Sequence, residues 1–222
     1  MPGAVDSSLK VSIYNRQNPL AVTYWLQEED LIANPDIQDL MADLSLLAIA
    51  QAYLGTQPII DIVAMWWSTD LSKTACNDSA QMYHFDMDRI KWLKFFIYLT
   101  DVTDDNGPHC YIVGSHQIGG KPTELLQLGY SRIVDEQIYQ FYPKEKICEV
   151  IAPRGTIIAG DTLCFHKGKP LKQGDRLVLE LEFTNSLFGG SYQKVELKNP
   201  INNNLSEYIK TYSRVFKKFV LN

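Results

Sequence analysis

A histidine and an aspartate stand two positions apart in the run Gln81-Met-Tyr-His84-Phe-Asp86. Residues two apart on a β-strand point to the same face, so the His84 imidazole and the Asp86 carboxylate can both reach one metal ion. The pair alone is weak evidence, because with 4 histidines and 26 acidic residues in 222, chance gives such a pair about half the time. It therefore predicts a metal site only if a third ligand exists.

The third candidate ligand is His166, near the end of the run Thr162-Leu-Cys-Phe-His166. Two histidines and one carboxylate form a facial triad, which leaves adjacent coordination positions open and is used by non-haem Fe(II) oxygenases. Zinc enzymes also use two histidines and a carboxylate, so the ligand types alone leave both metals open.

Arg176 follows His166 by ten positions, across a turn rich in glycine, proline and lysine. A hairpin here would return Arg176 to a place beside the strand that carries His166. A buried guanidinium needs an anionic partner and can hold a carboxylate through two parallel hydrogen bonds. Next to the triad, Arg176 favours a carboxylate-bearing co-substrate. The alternative is a surface ion pair with Asp161 or Asp175.

The other two histidines, His109 and His116, lie beside turn glycines. Histidines in loops are usually solvated or hydrogen-bonded locally. We interpret both as loop residues, with a structural role for His116, and expect neither to bind the metal.

Helices are expected on both sides of the segment that carries these residues. Asn34 and Pro35 suit the start of a helix and Gly55 suits its end, and apolar residues recur at helical spacing between them. The sequence predicts this helix over about residues 34–54. A second amphipathic pattern, from Leu205 to Phe219, predicts a helix over about residues 204–220.

The intervening residues show the patterns of β-strands separated by turns. Short apolar runs predict strands near residues 58–67, 92–102, 147–151, 156–158, 162–165 and 177–183. No helices alternate with them, so an antiparallel barrel or sandwich is favoured over a parallel sheet. The polar and aromatic segment 117–146 is a long excursion of the kind that serves as a lid.

The last of these strands makes a specific prediction about its two faces. If Arg176 points into the barrel, Val178, Glu180 and Glu182 do so too, and the intervening leucines and Phe183 point outward. That outer face must then be covered by helices. The two inward glutamates must lie at the open end of the barrel, or a bulge must shift the alternation.

Composition and charge limit the broad class of protein. The chain has 222 residues, 45% of them hydrophobic, and a formal net charge of −5, which favours one folded domain over residues 1–222 and disfavours nucleic acid as a partner. No apolar run is long enough to span a membrane. The four cysteines form no Cys-x-x-Cys pair, which is typical of thiols in a reducing compartment, and the first residues do not resemble a signal peptide. We therefore expect a cytoplasmic protein and leave its oligomeric state, monomer or dimer, open.

The ordered set of motifs over about residues 57–186 resembles the phytanoyl-CoA dioxygenase (PhyH)-like proteins. These are Fe(II)/2-oxoglutarate-dependent dioxygenases whose core is a double-stranded β-helix, or jelly roll. The resemblance rests on the following motifs: His84-Phe-Asp86, Trp92-Leu, Leu99-Thr-Asp-Val-Thr, Asn106-Gly-Pro108, Gly114-Ser-His116, Gly160-Asp161, His166-Lys-Gly168 and Arg176.

The resemblance implies iron ligation by His84, Asp86 and His166, and binding of the distal carboxylate of 2-oxoglutarate by Arg176. It also assigns a co-substrate contact to Gln81, three positions before the first histidine. The implied cofactors are Fe(II), 2-oxoglutarate and O2. The implied reaction is hydroxylation of a small organic molecule, with oxidative decarboxylation of 2-oxoglutarate to succinate and CO2, and desaturation or cyclisation of the substrate stays open.

The chain also departs from the family. Val113 stands where a proline usually precedes the Gly-Ser-His turn, and the part before residue 57 is short, so an edge strand or a wall of the substrate pocket is expected to be missing or rebuilt. Two other functions remain as alternatives. One is a cupin-type metalloenzyme with different chemistry, and the other is a non-catalytic relative that binds a small molecule.

Overall fold

A computed structural model describes residues 2–5, 10–77, 79–189, 192–198 and 201–221 of the chain. Strands predominate in it, which confirms the predicted mainly-β class. The strands are β1 Pro2–Val5, β2 Lys10–Ile13, β3 Thr23–Trp25, β4 Ile59–Thr69, β5 Trp92–Tyr98, β6 His109–Ile112, β7 Ile147–Val150, β8 Ile157–Gly160, β9 His166–Gly168, β10 Asp175–Thr184, β11 Val195–Leu197 and β12 Phe219–Leu221.

The helices lie before, between and after these strands and are short. They are α1 Glu28–Ile32, α2 Pro35–Met41, α3 Leu44–Leu54, α4 Thr123–Leu126, α5 Asp135–Tyr139 and α6 Asn203–Thr211, with a 3-10 turn at Lys144–Lys146. Among the described residues, no helix combines the length and apolarity needed to cross a membrane.

Two antiparallel sheets form the β core. The larger has the strand order β2-β1-β3-β4-β10-β5-β8, and the smaller has the order β7-β6-β9. An isolated antiparallel bridge also joins His84 to His166, the first residue of β9. This bridge brings the two histidines of the predicted triad side by side.

Strand β10 shows the predicted alternation of faces. Its outward residues Leu179, Leu181 and Phe183 share a hydrophobic cluster with residues of α1, α2, α3 and α6, so helices cover that face. The inward residue Val178 packs with Trp66, Phe96 and Tyr98. The pairing with β4 shifts between Glu182 and Phe183, but Phe183 stays on the same face as Leu181, so this irregularity does not change the alternation of β10.

The predicted helix over residues 34–54 is two helices. Asn34 caps α2 and Gly55 ends α3 with a φ of 73°, as the sequence indicates. The break comes at Asp43, whose side chain accepts hydrogen bonds from the backbone N–H groups of Ser45 and Leu46. An aspartate whose side chain accepts from the backbone N–H groups two and three residues later caps a new helix instead of continuing the old one.

The predicted helix over residues 204–220 was also too long, because α6 ends at Thr211. The apolar residues beyond it, Val215, Phe216 and Phe219, do reach the main core cluster. They reach it through turns and through β12, which pairs in parallel with β11. Periodicity alone did not distinguish this arrangement from a longer helix, because both bury the same side chains.

The strand map needs two further corrections. Residues 162–165 form a turn instead of a strand, and the segment around His109 forms β6 instead of a loop. The part before residue 57, where an edge strand or a wall of the pocket was expected to be missing or rebuilt, supplies β1, β2 and β3 to the larger sheet. These pairings are made between distant segments, so local sequence patterns carry little information about them.

Candidate metal and co-substrate site

The three predicted metal ligands converge in the folded chain. His84, Asp86 and His166 are all buried, and one potential ligand atom from each lies within 4.8 Å of the others. The backbone N–H of His84 donates to the carbonyl of His166 at 3.0 Å, and that of His166 donates back at 2.8 Å. This bridge to β9 fixes the positions of both histidines, and Asp86 follows two residues later, where its backbone N–H donates to the carbonyl of Thr162 at 2.8 Å.

Hydrogen bonds orient both imidazole rings. The Nδ1 atoms of His84 and His166 lie 2.9 Å and 3.0 Å from the backbone carbonyls of Met82 and Cys164. A carbonyl only accepts, so each Nδ1 carries the proton and each Nε2 keeps its lone pair. Each Nε2 lies 3.7 Å from a different oxygen of Asp86. The three groups therefore present donor atoms to a common point.

The electrostatics keep these ligands in the forms that bind metals. Burial, assisted by the neighbouring His166, lowers the pKa of His84 to about 3. Burial alone would raise the pKa of Asp86, but His166 and Lys94 outweigh it and lower that pKa to about 2. Neutral imidazoles and an ionised carboxylate are the protonation states required for coordination.

Lys94 holds the inner carboxylates together. Its ammonium group on β5 lies 2.9 Å from Asp86 and 2.9 Å from Asp88. It also lies 3.4 Å from Glu180 and 3.3 Å from Glu182, although the Glu182 carboxylate lacks hydrogen-bond geometry to any partner. This answers the question that the alternation of β10 raised, since the two inward glutamates surround a buried lysine.

Arg176 is buried beside this cluster and is almost without partners. It is 4% exposed, and within the described structure its side chain makes one hydrogen bond, from Nη2 to the Ser68 hydroxyl at 3.3 Å. Its Nε and Nη1 atoms are buried and have no hydrogen-bond partner in the described structure. The surface ion pairs considered from the sequence do not form, because Asp161 accepts from Tyr53 and Asp175 from Tyr14.

One cavity of about 260 Å³ contains both the triad and Arg176. Larger cavities elsewhere, such as one of about 640 Å³ beside Tyr139 and Tyr142, contain none of these groups. The cavity wall is partly aromatic, with Trp25 from β3 lying against Trp66 from β4. The site thus combines a trio of metal ligands, an unpaired guanidinium and an apolar wall.

The arrangement fits the cofactors that the resemblance implies. A divalent metal requires convergent lone pairs, which the two Nε2 atoms and the Asp86 carboxylate supply. A dicarboxylate next to that metal requires a cation for its far end. Arg176 offers its guanidinium, whose Nε and Nη1 atoms have no partner in the described structure.

Comparison with known families agrees with this geometry. The family model for phytanoyl-CoA dioxygenase (PhyH) matches residues 16–176, which is well over half of the chain. The chain belongs to the PhyH family. The predicted enzyme class, Fe(II)/2-oxoglutarate-dependent, is confirmed with the family. A search of curated proteins found no match.

Solved structures of PhyH-like enzymes share the fold. HygX from Streptomyces hygroscopicus, with nickel and 2-oxoglutarate bound, is 19% identical, with a TM-score of 0.55 over 82% of this chain and 77% of that one. EctD from S. alaskensis, with bound Fe, is 19% identical, with a TM-score of 0.53 over 82% and 62%. The α-ketoglutarate-dependent epimerase SnoN from nogalamycin biosynthesis is 15% identical, with a TM-score of 0.55 over 73% and 63%. These likenesses confirm the jelly-roll core.

Gln81 does not reach the cavity of this PhyH-family chain. It is buried, but its side-chain carbonyl accepts a hydrogen bond from the backbone N–H of Cys76 at 2.8 Å. The neighbouring Ala80 does line the cavity, and its φ of 53° is rare for a residue with a side chain. The resemblance placed the co-substrate contact at Gln81, whereas the structure gives that side chain a role in its own loop.

Sequence reasoning missed several residues that line the cavity, among them His109 and Lys94. His109, interpreted as a loop residue, is buried on β6, where its Nδ1 lies 3.1 Å from the Tyr98 hydroxyl and its ring packs on Phe96. Lys94 was also missed, although a lone cation inside the apolar run Trp92–Tyr98 was a visible signal. His116 is exposed, as expected of a loop residue.

Proposed function

We propose that this PhyH-family protein hydroxylates a small organic molecule, using Fe(II), O2 and 2-oxoglutarate and releasing succinate and CO2. One observation carries the proposal. The ligand atoms of His84, Asp86 and His166 converge within 4.8 Å in the same cavity as the unpaired guanidinium of Arg176. The iron held by EctD and the 2-oxoglutarate held by HygX support the choice of cofactors.

The triad residues bind the metal through the Nε2 atoms of the two histidines and the carboxylate of Asp86. Lys94, 2.9 Å from the Asp86 carboxylate, keeps that group ionised and limits its rotation. When bound, the iron supplies the site for reductive activation of O2 with electrons from 2-oxoglutarate.

Arg176 orients the co-substrate. Its guanidinium donates to the distal carboxylate of 2-oxoglutarate, since Nε and Nη1 have no partner of their own in the described structure, and the Ser68 hydroxyl 3.3 Å from Nη2 fixes the plane of the guanidinium. Gly168 makes room for this group, because a Cβ there would lie only 3.2 Å from Nη2. The keto acid end is then directed towards the triad.

The aromatic wall receives the substrate and excludes water. Trp25, Trp66 and Phe96 line the cavity, and the centroids of the two indole rings lie 4.7 Å apart. An apolar wall next to the reacting atoms favours abstraction of hydrogen from a bound C–H group over reactions with solvent.

The test is Fe(II)-dependent conversion of 2-oxoglutarate to succinate under air, without added substrate. Slow conversion is expected in the wild type and a loss of at least about tenfold in Asp86→Ala. The matched control is Asp104→Ala, since Asp104 is exposed and outside the cavity. Equal rates in the wild type and Asp86→Ala would refute the assigned role.

The type of product is tested separately, since SnoN is described as an epimerase. Once a screen identifies a molecule that stimulates succinate formation, its product is analysed by mass spectrometry under ¹⁸O2. Hydroxylation predicts one ¹⁸O atom in the product, and a product of unchanged mass would instead point to epimerisation.

A further inference from the structure

Arg132 lies one strand away from the candidate metal ligands. The backbones of Tyr83 and Ile133 form an antiparallel bridge, with hydrogen bonds of 2.9 Å and 2.7 Å. In an antiparallel pair, the residue after one partner faces the residue before the other, so Arg132 lies opposite His84. The bridge between His84 and His166 extends the row. Arg132 and both histidines line the same cavity.

Within the described part of the chain, the guanidinium of Arg132 has no carboxylate partner. Its Nη1 atom is buried and has no hydrogen-bond partner, and the ion pairs of arginine there are those of Arg16 and Arg89. The guanidinium carbon of Arg132 lies 5.9 Å from the centroid of the Tyr130 ring, a cation–π contact that supplies no acceptor for the N–H groups. A shielded guanidinium N–H without an acceptor costs free energy until a ligand supplies one.

The other cations of the cavity are accounted for. Lys94 faces four carboxylates, and Arg176 matches the distal carboxylate of the co-substrate in the proposed function. Among the described residues that line the cavity, Arg132 is the cation that remains after these assignments. It lies beside the candidate metal ligands, opposite His84.

We propose that Arg132 binds an anionic group of the substrate, and that the substrate is a small carboxylic acid. This inference rests on the proposed function, because it assumes that Arg176 is taken by 2-oxoglutarate. A single guanidinium matches one carboxylate through two parallel hydrogen bonds, whereas a phosphate dianion calls for further donors. The indoles of Trp25 and Trp66 in the same cavity suit a flat or apolar body attached to that carboxylate.

The probes for this inference are benzoate and benzamide, which have nearly the same size and differ in charge. The protein is loaded with Ni(II) and saturating 2-oxoglutarate, and each probe is titrated by calorimetry. Wild type is expected to bind benzoate at least about tenfold more tightly than benzamide. Arg132→Gln is expected to bind both within about twofold of each other. Lys144→Gln, which removes an exposed charge outside this cavity, is expected to keep the preference.

Three results would overturn the inference. They are equal or absent binding of the two probes to wild type, a preference that survives in Arg132→Gln, and a loss of 2-oxoglutarate affinity in Arg132→Gln. The last result would assign Arg132 to the co-substrate. The loading step tests the proposed function by itself, because binding of Ni(II) and 2-oxoglutarate is measured before either probe is added.

Discussion

In the proposed site, Arg176 serves co-substrate binding at the expense of stability. Its guanidinium is buried, and burial lowers its pKa, yet within the described structure its hydrogen-bond partner is a neutral serine. A buried cation without an anion destabilises a fold, and such groups persist where a ligand needs them. Lys94 is the contrasting case, because it is also buried but four carboxylates surround it and compensate its charge.

Replacing Arg176 therefore has opposite effects on the empty and loaded protein. We expect Arg176→Met to raise the free energy of unfolding of the ligand-free protein by about 1–3 kcal/mol, since it removes an uncompensated charge. In the presence of Ni(II), 2-oxoglutarate should stabilise the wild type and leave the variant unchanged. Urea denaturation measures both effects, with Arg154→Met at an exposed position as the control. A less stable variant that 2-oxoglutarate still stabilises would contradict this account.

At the scale of elements, β9 lies so close to the Arg176 side chain of β10 that the guanidinium fits only beside a residue without a side chain. Gly168 lies on β9, and a Cβ at this position would come within 3.2 Å of Nη2 and 3.6 Å of Nη1 of Arg176. Gly160 on β8 is a useful counterpart, since its Cβ would meet the Tyr111 hydroxyl at 3.2 Å instead of the guanidinium.

We expect Gly168→Ala to weaken 2-oxoglutarate binding by about tenfold, because the added methyl displaces the guanidinium that must orient the distal carboxylate. Metal affinity should stay within about twofold, since the triad is not touched. Calorimetric titration of Ni(II) and then 2-oxoglutarate separates the two affinities. If Gly160→Ala lowers 2-oxoglutarate affinity as much as Gly168→Ala does, the effect is general crowding of the sheet.

Sequence patterns predicted the features of these elements that depend on alternation or on fixed spacing. The two faces of β10 and the convergence of His84 with His166 are of this kind. The pairing of β6 and the strand after α6 depend on contacts between distant segments, so His109 was misplaced and α6 was drawn too long. Gln81 illustrates a limit of transferring a residue's role by motif position, since a hydrogen bond within its own loop holds its side chain.

At the scale of the whole molecule, the fold buries histidines and glutamates together. Burial lowers the pKa values of His84, His109 and His166, and it raises those of Glu180 and Glu182. The histidines are neutral in the folded state and become protonated in the unfolded state below about pH 6.5, so their contribution destabilises the fold as pH falls. The raised pKa values of the glutamates have the opposite effect, since they favour the folded state as pH falls. A comparison of the wild type with a variant that lacks one histidine isolates the contribution of that histidine.

His109→Phe is the suitable comparison. Its ring can keep the contact with Phe96, and the Tyr98 hydroxyl keeps its bond from the backbone N–H of residue 109. Between pH 7.5 and pH 5.0 we expect the metal-free wild type to lose about 2 kcal/mol more stability than the variant, since only the wild type has this histidine to protonate on unfolding. Urea denaturation at the two pH values measures the difference. Equal losses would show that His109 protonates in the folded state.

In the proposed function, His84, Asp86, His166 and Arg176 form one site for Fe(II) and 2-oxoglutarate. The most direct measurement is anaerobic addition of both to the protein, followed by the visible charge-transfer band of iron chelated by the keto acid. We predict the band in wild type and in His116→Ala, and its loss in His84→Ala and, at subsaturating 2-oxoglutarate, in Arg176→Met. Absence of the band in wild type, or an unchanged band in His84→Ala and Arg176→Met, would contradict the account.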